Sequence, residues 1–249
     1  MIKSPNYIHF RIQWQLMGPN SPGLRFERQV FQDFWNDLRT DPLASDYDDF
    51  SYRPDRFELG KLRGDQPRGG QAFSKILYEN DLLTVVDEWA DVSADEFAQK
   101  FTRILSTWFK HFPQTLAVIQ RCWLRALMEP RHFEDSRQFL GDRVLGLGGK
   151  LQASLHRMPH QVGFTFGCTR DVMNSSLLLD AKVNSWRESR SVWTEVAGVV
   201  PLRAPMNATN VETAQVPFAA CKDFLEGEVI GLLTKFDEQP SDGEQGSLK

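Results

Sequence analysis

Arginine and tryptophan side chains alternate in one short segment near the middle of the chain. Arg121, Trp123 and Arg125 are each separated by one residue, so on a strand they share a face. A planar guanidinium group binds a carboxylate or a phosphate through two parallel hydrogen bonds. The pattern predicts an anion-binding site on this face, together with Asp180 from a later strand. The alternatives are a solvated face, or an internal ion pair between these arginines and Asp180.

A second group of aromatic and basic residues lies further along the chain, at Trp186, Arg187, Arg190 and Trp193. Aromatic rings beside cationic groups are typical of proteins that bind single-stranded nucleic acid by stacking. Glu188 and Glu195 interrupt this run, and the whole chain carries a net charge of -4. Nucleic-acid binding therefore ranks below small-molecule binding, and we expect the rings to pack against the core or a partner.

No motif in the chain predicts an enzyme, a cofactor or a metal site. The glycine-rich segment 146–150 resembles a phosphate-binding loop, but it follows a predicted helix and Leu151 stands where such a loop has serine or threonine. We interpret it as the end of a helix and a turn. His156 and His160, with Cys168 further on, could be metal ligands at a spacing that suits a helix, but Pro159 and the strand pattern indicate that the two histidines do not converge. We therefore expect no cofactor and no metal.

The composition is that of an ordinary globular protein, with 41% apolar and 25% charged residues. A net charge of -4 gives no overall attraction to nucleic acid or to an anionic membrane. The three cysteines are widely spaced in apolar segments, which favours reduced thiols. No apolar stretch approaches the ~20 residues of a membrane helix. We expect a cytoplasmic protein that does not bind membranes.

The first half of the chain is patterned as one strand, one helix, three strands and a second helix. Apolar residues alternate over 8–16 and then recur every three or four residues over 26–38, which predicts a strand followed by a helix. Ser93 and Glu96 form a capping box that begins the second helix. The three strands between the helices are predicted at 56–62, 72–79 and 82–89.

The second half repeats this order of elements. A long strand is predicted over 116–128, a helix over 133–147 and a last helix over 217–236. The three strands between these helices are predicted at 151–157, 161–168 and 176–186. The chain then divides into a first αβ repeat, a second αβ repeat and a disordered tail, at 1–112, 113–236 and 237–249.

The predicted fold class is α+β, with two tandem β-α-β-β-β-α units whose helices pack on curved antiparallel sheets. The two sheets would join edge to edge and so hide their free edges. This arrangement resembles the TBP-like and Bet v 1-like class, in which helices cover a curved sheet. Because such folds host many unrelated functions, the resemblance implies a fold and no activity.

Three segments carry a family resemblance as well. The strand 121–125 bears two arginines, the later strand 177–183 contains Asp180, and the C-terminal helix 218–236 is rich in phenylalanine. Together they resemble an uncharacterised bacterial family of similar length that is sporadically distributed across genomes. That family has no assigned function, so the resemblance implies no activity, cofactor or partner.

These observations predict a cytoplasmic, non-enzymatic protein that binds a small anion or a protein partner on its sheet or between its halves. The alternative is an enzyme of unrecognised type that acts on an anionic small molecule. In such an enzyme Arg121 and Arg125 would orient the substrate, and Asp180 or a histidine would transfer protons. Nucleic-acid binding is a third option, and the oligomeric state does not follow from the sequence.

Overall fold

The computed structural model describes residues 5–18, 27–45, 47–65, 71–147, 149–186 and 190–238. Within these ranges the chain forms one nine-stranded antiparallel sheet with several helices, so the predicted α+β class is confirmed. The strands are β1 (Asn6–Met17), β2 (Asp49–Arg53), β3 (Arg56–Asp65), β4 (Gln71–Glu79), β5 (Leu82–Glu88), β6 (Leu116–Met128), β7 (Gly163–Val172), β8 (Ser175–Ser185) and β9 (Val192–Met206).

The helices connect the strands and end the described chain. They are α1 (Arg28–Thr40), α2 (Ala94–His111), α3 (Ser136–Gln138), α4 (Lys150–Leu155), α5 (Gln215–Asp223) and α6 (Gly231–Glu238). Segments with π-helical hydrogen bonding extend α3 (Phe139–Val144) and join α5 to α6 (Phe224–Ile230), and a 3-10 turn precedes α5 (Val211–Ala214). The capping box predicted for α2 is confirmed, because Ser93 and Glu96 each accept a hydrogen bond from the other's backbone N–H.

The strands of the two halves lie side by side in the sheet. Their order is β2-β3-β4-β5-β1-β6-β9-β8-β7. The expected edge-to-edge join is the pairing of β1 with β6, in which Phe10 lies opposite Leu124. In each half the first strand lies at this join and the last strand is its neighbour, followed outward by the others in reverse chain order. We call the β1–β6 pairing the seam.

One face of the sheet packs against the helices. Phe10, Ile12 and Trp14 of β1 are fully buried on this face. The strand residues of the continuous hydrophobic core all come from it, and the residues that alternate with them do not belong to that core. We call the opposite face the open face. On β1 it carries His9 and Arg11, and on the other strands it carries the residues in register with them.

Aromatic side chains fill the space between the sheet and the helices. Phe31 of α1 stacks on Phe57 of β3 with ring centroids 4.5 Å apart, and Phe97 of α2 stacks on Phe10 at 5.2 Å. Phe218 of α5 contacts Phe10 and Phe97 at 6.1 and 5.6 Å. Because large aromatic rings bury much apolar area, these contacts hold helices from both halves over the seam.

The first half contains one more strand than predicted. β2 lies in the acidic segment after α1, where Phe50 and Tyr52 alternate with charged or polar residues and pack against the core. It is the edge strand beside β3. Two apolar residues among polar neighbours make too short an alternation to distinguish a strand from a loop.

The second half has the predicted number of strands, and three of them, β6, β7 and β8, overlap the predicted segments. The strand predicted at 151–157 is wrong: Lys150–Leu155 forms α4, which follows Gly149 with a left-handed φ of 74°. The strand β9 occupies a stretch for which no element was predicted. Gly198 and Pro201 obscure its pattern, whereas pairing with both β6 and β8 stabilises it.

The C-terminal helix extends beyond its predicted end. Asp237, which was assigned to the tail, is 2% exposed and accepts hydrogen bonds from the backbone N–H groups of Arg131 and His132. The remainder of the predicted tail, from 239 onward, lies outside the described residues. Within the described ranges, no helix combines the length and the apolar character needed to cross a bilayer.

Candidate anion-binding site

The central strand β6 presents its arginines as the sequence predicts. Cys122 and Leu124 point toward the helices and are buried in the core, whereas Arg121, Trp123 and Arg125 lie on the open face and are half-buried. The 13-residue strand is paired on both sides, with β1 and with β9. These three side chains are therefore held on rigid backbone at the middle of the sheet.

A third arginine joins them from the neighbouring strand. Arg11 of β1 lies opposite Trp123 in the register of the seam. Its guanidinium carbon is 4.5 Å from the centroid of the Trp123 ring, a cation–π contact. This contact holds the Arg11 side chain beside the ring, so less conformational entropy remains to be lost when it binds an anion.

Two of these arginines have buried nitrogens without a hydrogen-bond partner. Among the described residues, no acceptor reaches Nε of Arg11 or Nη1 of Arg121. Gln13, which lies opposite Arg121, donates its amide to the Thr84 hydroxyl at 3.0 Å. Buried polar atoms in folded proteins are nearly always paired, so an unpaired guanidinium nitrogen indicates an unfilled contact.

Arg125 differs because its Nε is already paired with a carboxylate of the protein. Its Nε donates to Oε2 of Glu195, which lies opposite it on β9 and is 5% exposed. Lys182 of β8 approaches the other oxygen of Glu195 at 3.4 Å. The three residues form one ion-pair row across β6, β9 and β8, so Arg125 contributes to the electrostatics of the site more than to direct binding.

A histidine–carboxylate pair continues this row on the other side of Arg125. His9 of β1 lies opposite both Arg125 and Glu88, and a hydrogen bond joins its Nδ1 to the Glu88 carboxylate. His9 is only 5% exposed. The pair therefore stands on the open face, two residues along β1 from Arg11.

Asp180 shares the open face with the arginines but stays apart from them. It lies opposite Ala197 on β9, which in turn lies opposite Trp123 on β6. Asp180 is exposed, and in the described part of the chain no ion pair joins it to Arg121 or Arg125. The alternative of an internal pair with Asp180 is thus not observed.

The electrostatic state of the site is cationic at its centre. Burial, together with the positive charge of Arg125, lowers the pKa of Arg11 from its ordinary value. The guanidinium stays protonated because its ordinary pKa is so high. An anion placed beside Arg11 would offset both its loss of hydration and its repulsion from Arg125.

A cavity elsewhere in the described part of the chain contains an acid that is already paired. It has a volume of about 570 Å³ and is lined by Asp37, Thr40, Asp41, Pro42, Leu43, Arg103, Thr107 and Lys110. Asp37 bonds Lys110 at 2.6 Å and His111 at 2.8 Å, and these bonds lower the pKa of the carboxyl. Because its central acid is already satisfied, we favour the open face as the functional site.

The other candidate groups do not converge. The described residues contain no set of three or more His, Cys, Asp or Glu side chains that could hold a metal ion. Of the aromatic and basic run, Trp193 lies on the open face with Arg125 5.8 Å from its ring, and Arg190 approaches Glu134 at 3.5 Å. Arg187 lies outside the described residues.

The sequence did not reveal Arg11, His9, Glu88 or Glu195 as members of this site. The alternation of β1 showed that Arg11 and His9 occupy a polar face. The signal that was missing is the pairing of β1 with β6, which joins residues more than a hundred positions apart.

Comparisons with protein-family models, with curated proteins and with solved structures gave no match.

Proposed function

We propose that this protein binds a small molecule with a carboxylate or phosphate group on the open face of its sheet, without transforming it. The observation that carries the proposal is the pair of buried, unpartnered nitrogens on Arg11 and Arg121. Trp123 neighbours Arg121 on the open face of β6 and makes a cation–π contact with Arg11. An acidic side chain of a protein partner offers the same chemistry and would use the same face.

The energetics favour an anionic ligand over a neutral one. A hydrogen bond to a charged group contributes about 1.5–3 kcal/mol to the net free energy. A buried donor without an acceptor costs the free energy of its removal from water. Guanidinium groups bind carboxylate and phosphate in a bidentate manner. An anion would therefore supply acceptors to Arg11 and Arg121 that the described residues do not.

The test is isothermal titration calorimetry with inorganic phosphate and with acetate as probes. We expect at least one of them to bind, and Arg121→Gln or Arg11→Gln to raise its Kd about tenfold or more, as the loss of one charged hydrogen bond predicts. Arg53→Gln is the matched control, since Arg53 is an exposed arginine on the edge strand β2. Equal affinities for the wild type and the Arg121→Gln variant would contradict the proposal, as would no binding of either anion.

The second candidate function is an enzyme acting on an anionic substrate, and the His9–Glu88 pair favours it. A histidine oriented by a carboxylate is the usual arrangement of a general base. It stands two residues from Arg11, which would bind the anionic group. Turnover of p-nitrophenyl phosphate or p-nitrophenyl acetate that is lost in His9→Asn but kept in Arg53→Gln would select the enzyme. If the wild type hydrolyses neither compound, these probes give no support to the enzyme, and binding remains the proposed function.

We further propose that the two halves of the chain are duplicated αβ units. The matching order of strands outward from the seam supports the duplication: β1-β5-β4-β3 on one side corresponds to β6-β9-β8-β7 on the other. Membership of the sporadically distributed bacterial family is part of the same proposal, supported by the segment around Arg121. A cytoplasmic location is supported by the free thiols of Cys122, Cys168 and Cys221.

A further inference from the structure

An apolar strip begins beside Arg121 and runs away from the seam. In register with Arg121 lie Val199 on β9 and then Leu178 on β8. Ile119 is the next open-face residue along β6, and it lies opposite Pro201. We call Ile119, Val199, Pro201 and Leu178 the apolar strip.

The strip is accessible in the described structure. Leu178 is 53% exposed although it lies within a paired strand, and Pro201 is also exposed. None of the four belongs to the hydrophobic core on the other face. Single exposed apolar residues are common on protein surfaces, but here they adjoin one another and a buried cation.

The neighbours of Arg121 are polar toward the seam and apolar away from it. On the β1 side lies Gln13, whose amide is bonded to Thr84. The next row along β6 contains Trp123 and Ala197, and the ion pair of Arg125 with Glu195 lies one row further on. An apolar group attached to an anion at Arg121 would therefore meet a polar partner on the β1 side and would gain apolar contact along the strip, away from the seam.

We infer that the anion bound by Arg11 and Arg121 carries an unbranched apolar chain that lies along the strip. This inference rests on the proposed function and names the ligand class as a single-chain amphiphile with a carboxylate or phosphate head. Adjacent strands are about 4.8 Å apart, so Arg121 and Leu178, two strands apart, span about 10 Å, comparable to a chain of about eight carbons. The charge of the two arginines and the length of the strip together select this occupant.

The test measures affinity against chain length by calorimetry. The probes are acetate, butanoate, hexanoate and octanoate, with methyl and octyl phosphate as the matching phosphate pair. Full burial of a methylene group changes affinity about fourfold, so half-burial on an open face gives about twofold per carbon and about 50-fold from acetate to octanoate. The phosphate pair is expected to show the same direction, and the tighter-binding head identifies the anionic group.

The variant Leu178→Ser tests whether the chain lies on the strip. We expect it to weaken octanoate binding about fivefold or more while leaving acetate binding unchanged. Leu62→Ser is the matched control, because Leu62 is 63% exposed on the open face of β3, far from Arg121. Thermal unfolding of both variants checks that the fold is intact.

The outcomes separate this inference from the function on which it rests. If the short anions bind but chain length has no effect in either series, the inference is overturned and anion binding stands. If octanoate binds equally to wild type, Leu178→Ser and Arg121→Gln, the binding is nonspecific and the inference is overturned. If no probe binds, both proposals are overturned.

Discussion

At the scale of single residues, the clearest stability determinant is a buried ion pair inside the core. Lys100 of α2 and Asp87 of β5 are 6% and 1% exposed in their side chains, and Nζ lies 3.2 Å from both carboxylate oxygens. Lys100 also lies 5.2 Å from the ring centroid of Tyr47. Both charges have left water, so each depends on the other for compensation.

Removing one member of this pair should destabilise the protein strongly. Lys100→Met leaves the Asp87 carboxylate buried without a counter-charge, and we expect a loss of about 3–5 kcal/mol in the free energy of unfolding. Urea denaturation measures it. The double variant Lys100→Met with Asp87→Asn should recover much of the loss, because no charge then remains buried.

The control for this prediction is an ion pair at the surface. Lys110 is 69% exposed and bonds Asp37 at 2.6 Å. Lys110→Met should cost at most about 1 kcal/mol, because water screens exposed pairs. A loss for Lys100→Met that is no larger than that for Lys110→Met would show that the buried pair is not needed for stability.

The open-face residues show how far single-residue prediction reaches. The spacing of Arg121, Trp123 and Arg125 was enough to place them on one face of β6. Which of them keep a free guanidinium was not predictable, because Glu195 pairs with Arg125 from a strand whose position was unknown. Alternation along a strand is local information, whereas partners depend on register.

At the scale of elements, the turn between β7 and β8 offers a test of backbone strain. Val172 pairs with Ser175, and the two residues between them, Met173 and Asn174, have left-handed φ values of 54° and 59°. A two-residue turn of this kind favours glycine, because a side chain makes left-handed backbone costly.

The same substitution should therefore have opposite effects in two elements. Asn174→Gly is expected to stabilise the protein by about 0.5–1 kcal/mol, since it relieves the left-handed strain. Asn36→Gly, at an exposed position within α1, should destabilise it by about 0.3 kcal/mol, because glycine is a poorer helix former than asparagine. Thermal unfolding of the two variants, measured side by side, checks the sign. A loss of stability in both would refute the role assigned to the turn.

Helices and strands whose apolar residues recur with a clear period were predictable, and those with a weak apolar period were not. β6 has the predicted limits, and α2 begins at its predicted capping box. α4 was wrongly predicted as a strand because a six-residue segment with two leucines fits both periods. β9 was missed because its stability comes from two flanking strands rather than from its own composition.

At the scale of the whole molecule, the two halves share one sheet and one continuous core. Phe218, from the second half, is 2% exposed and lies against Phe97 and Phe101 of α2, with ring centroids 5.6 and 5.3 Å apart. Gln215 reaches the same helix, donating to the Thr102 hydroxyl at 3.0 Å. Unfolding of either half would expose these contacts.

We therefore expect the described chain to unfold as one cooperative unit. Phe218→Ala should lower the free energy of unfolding by about 3–5 kcal/mol, as for other buried phenylalanines, while keeping a single transition. In this variant, hydrogen exchange should show that the backbone amides of α2 and of β9 lose protection together. Phe236→Ala, at a half-buried position in α6, is the control and should cost less. Two separate transitions would mean that the halves fold independently.

The arginine site crosses the seam, and this has a consequence for when it comes into being. Arg11 belongs to β1 and Arg121 to β6, so the two side chains share one face of the sheet only when the seam is formed. During synthesis β1 leaves the ribosome long before β6 does. A nascent chain would thus lack the arginine site until residue 128 has emerged and β6 has paired with β1. Ligand occupancy would report that the two halves have joined at the seam.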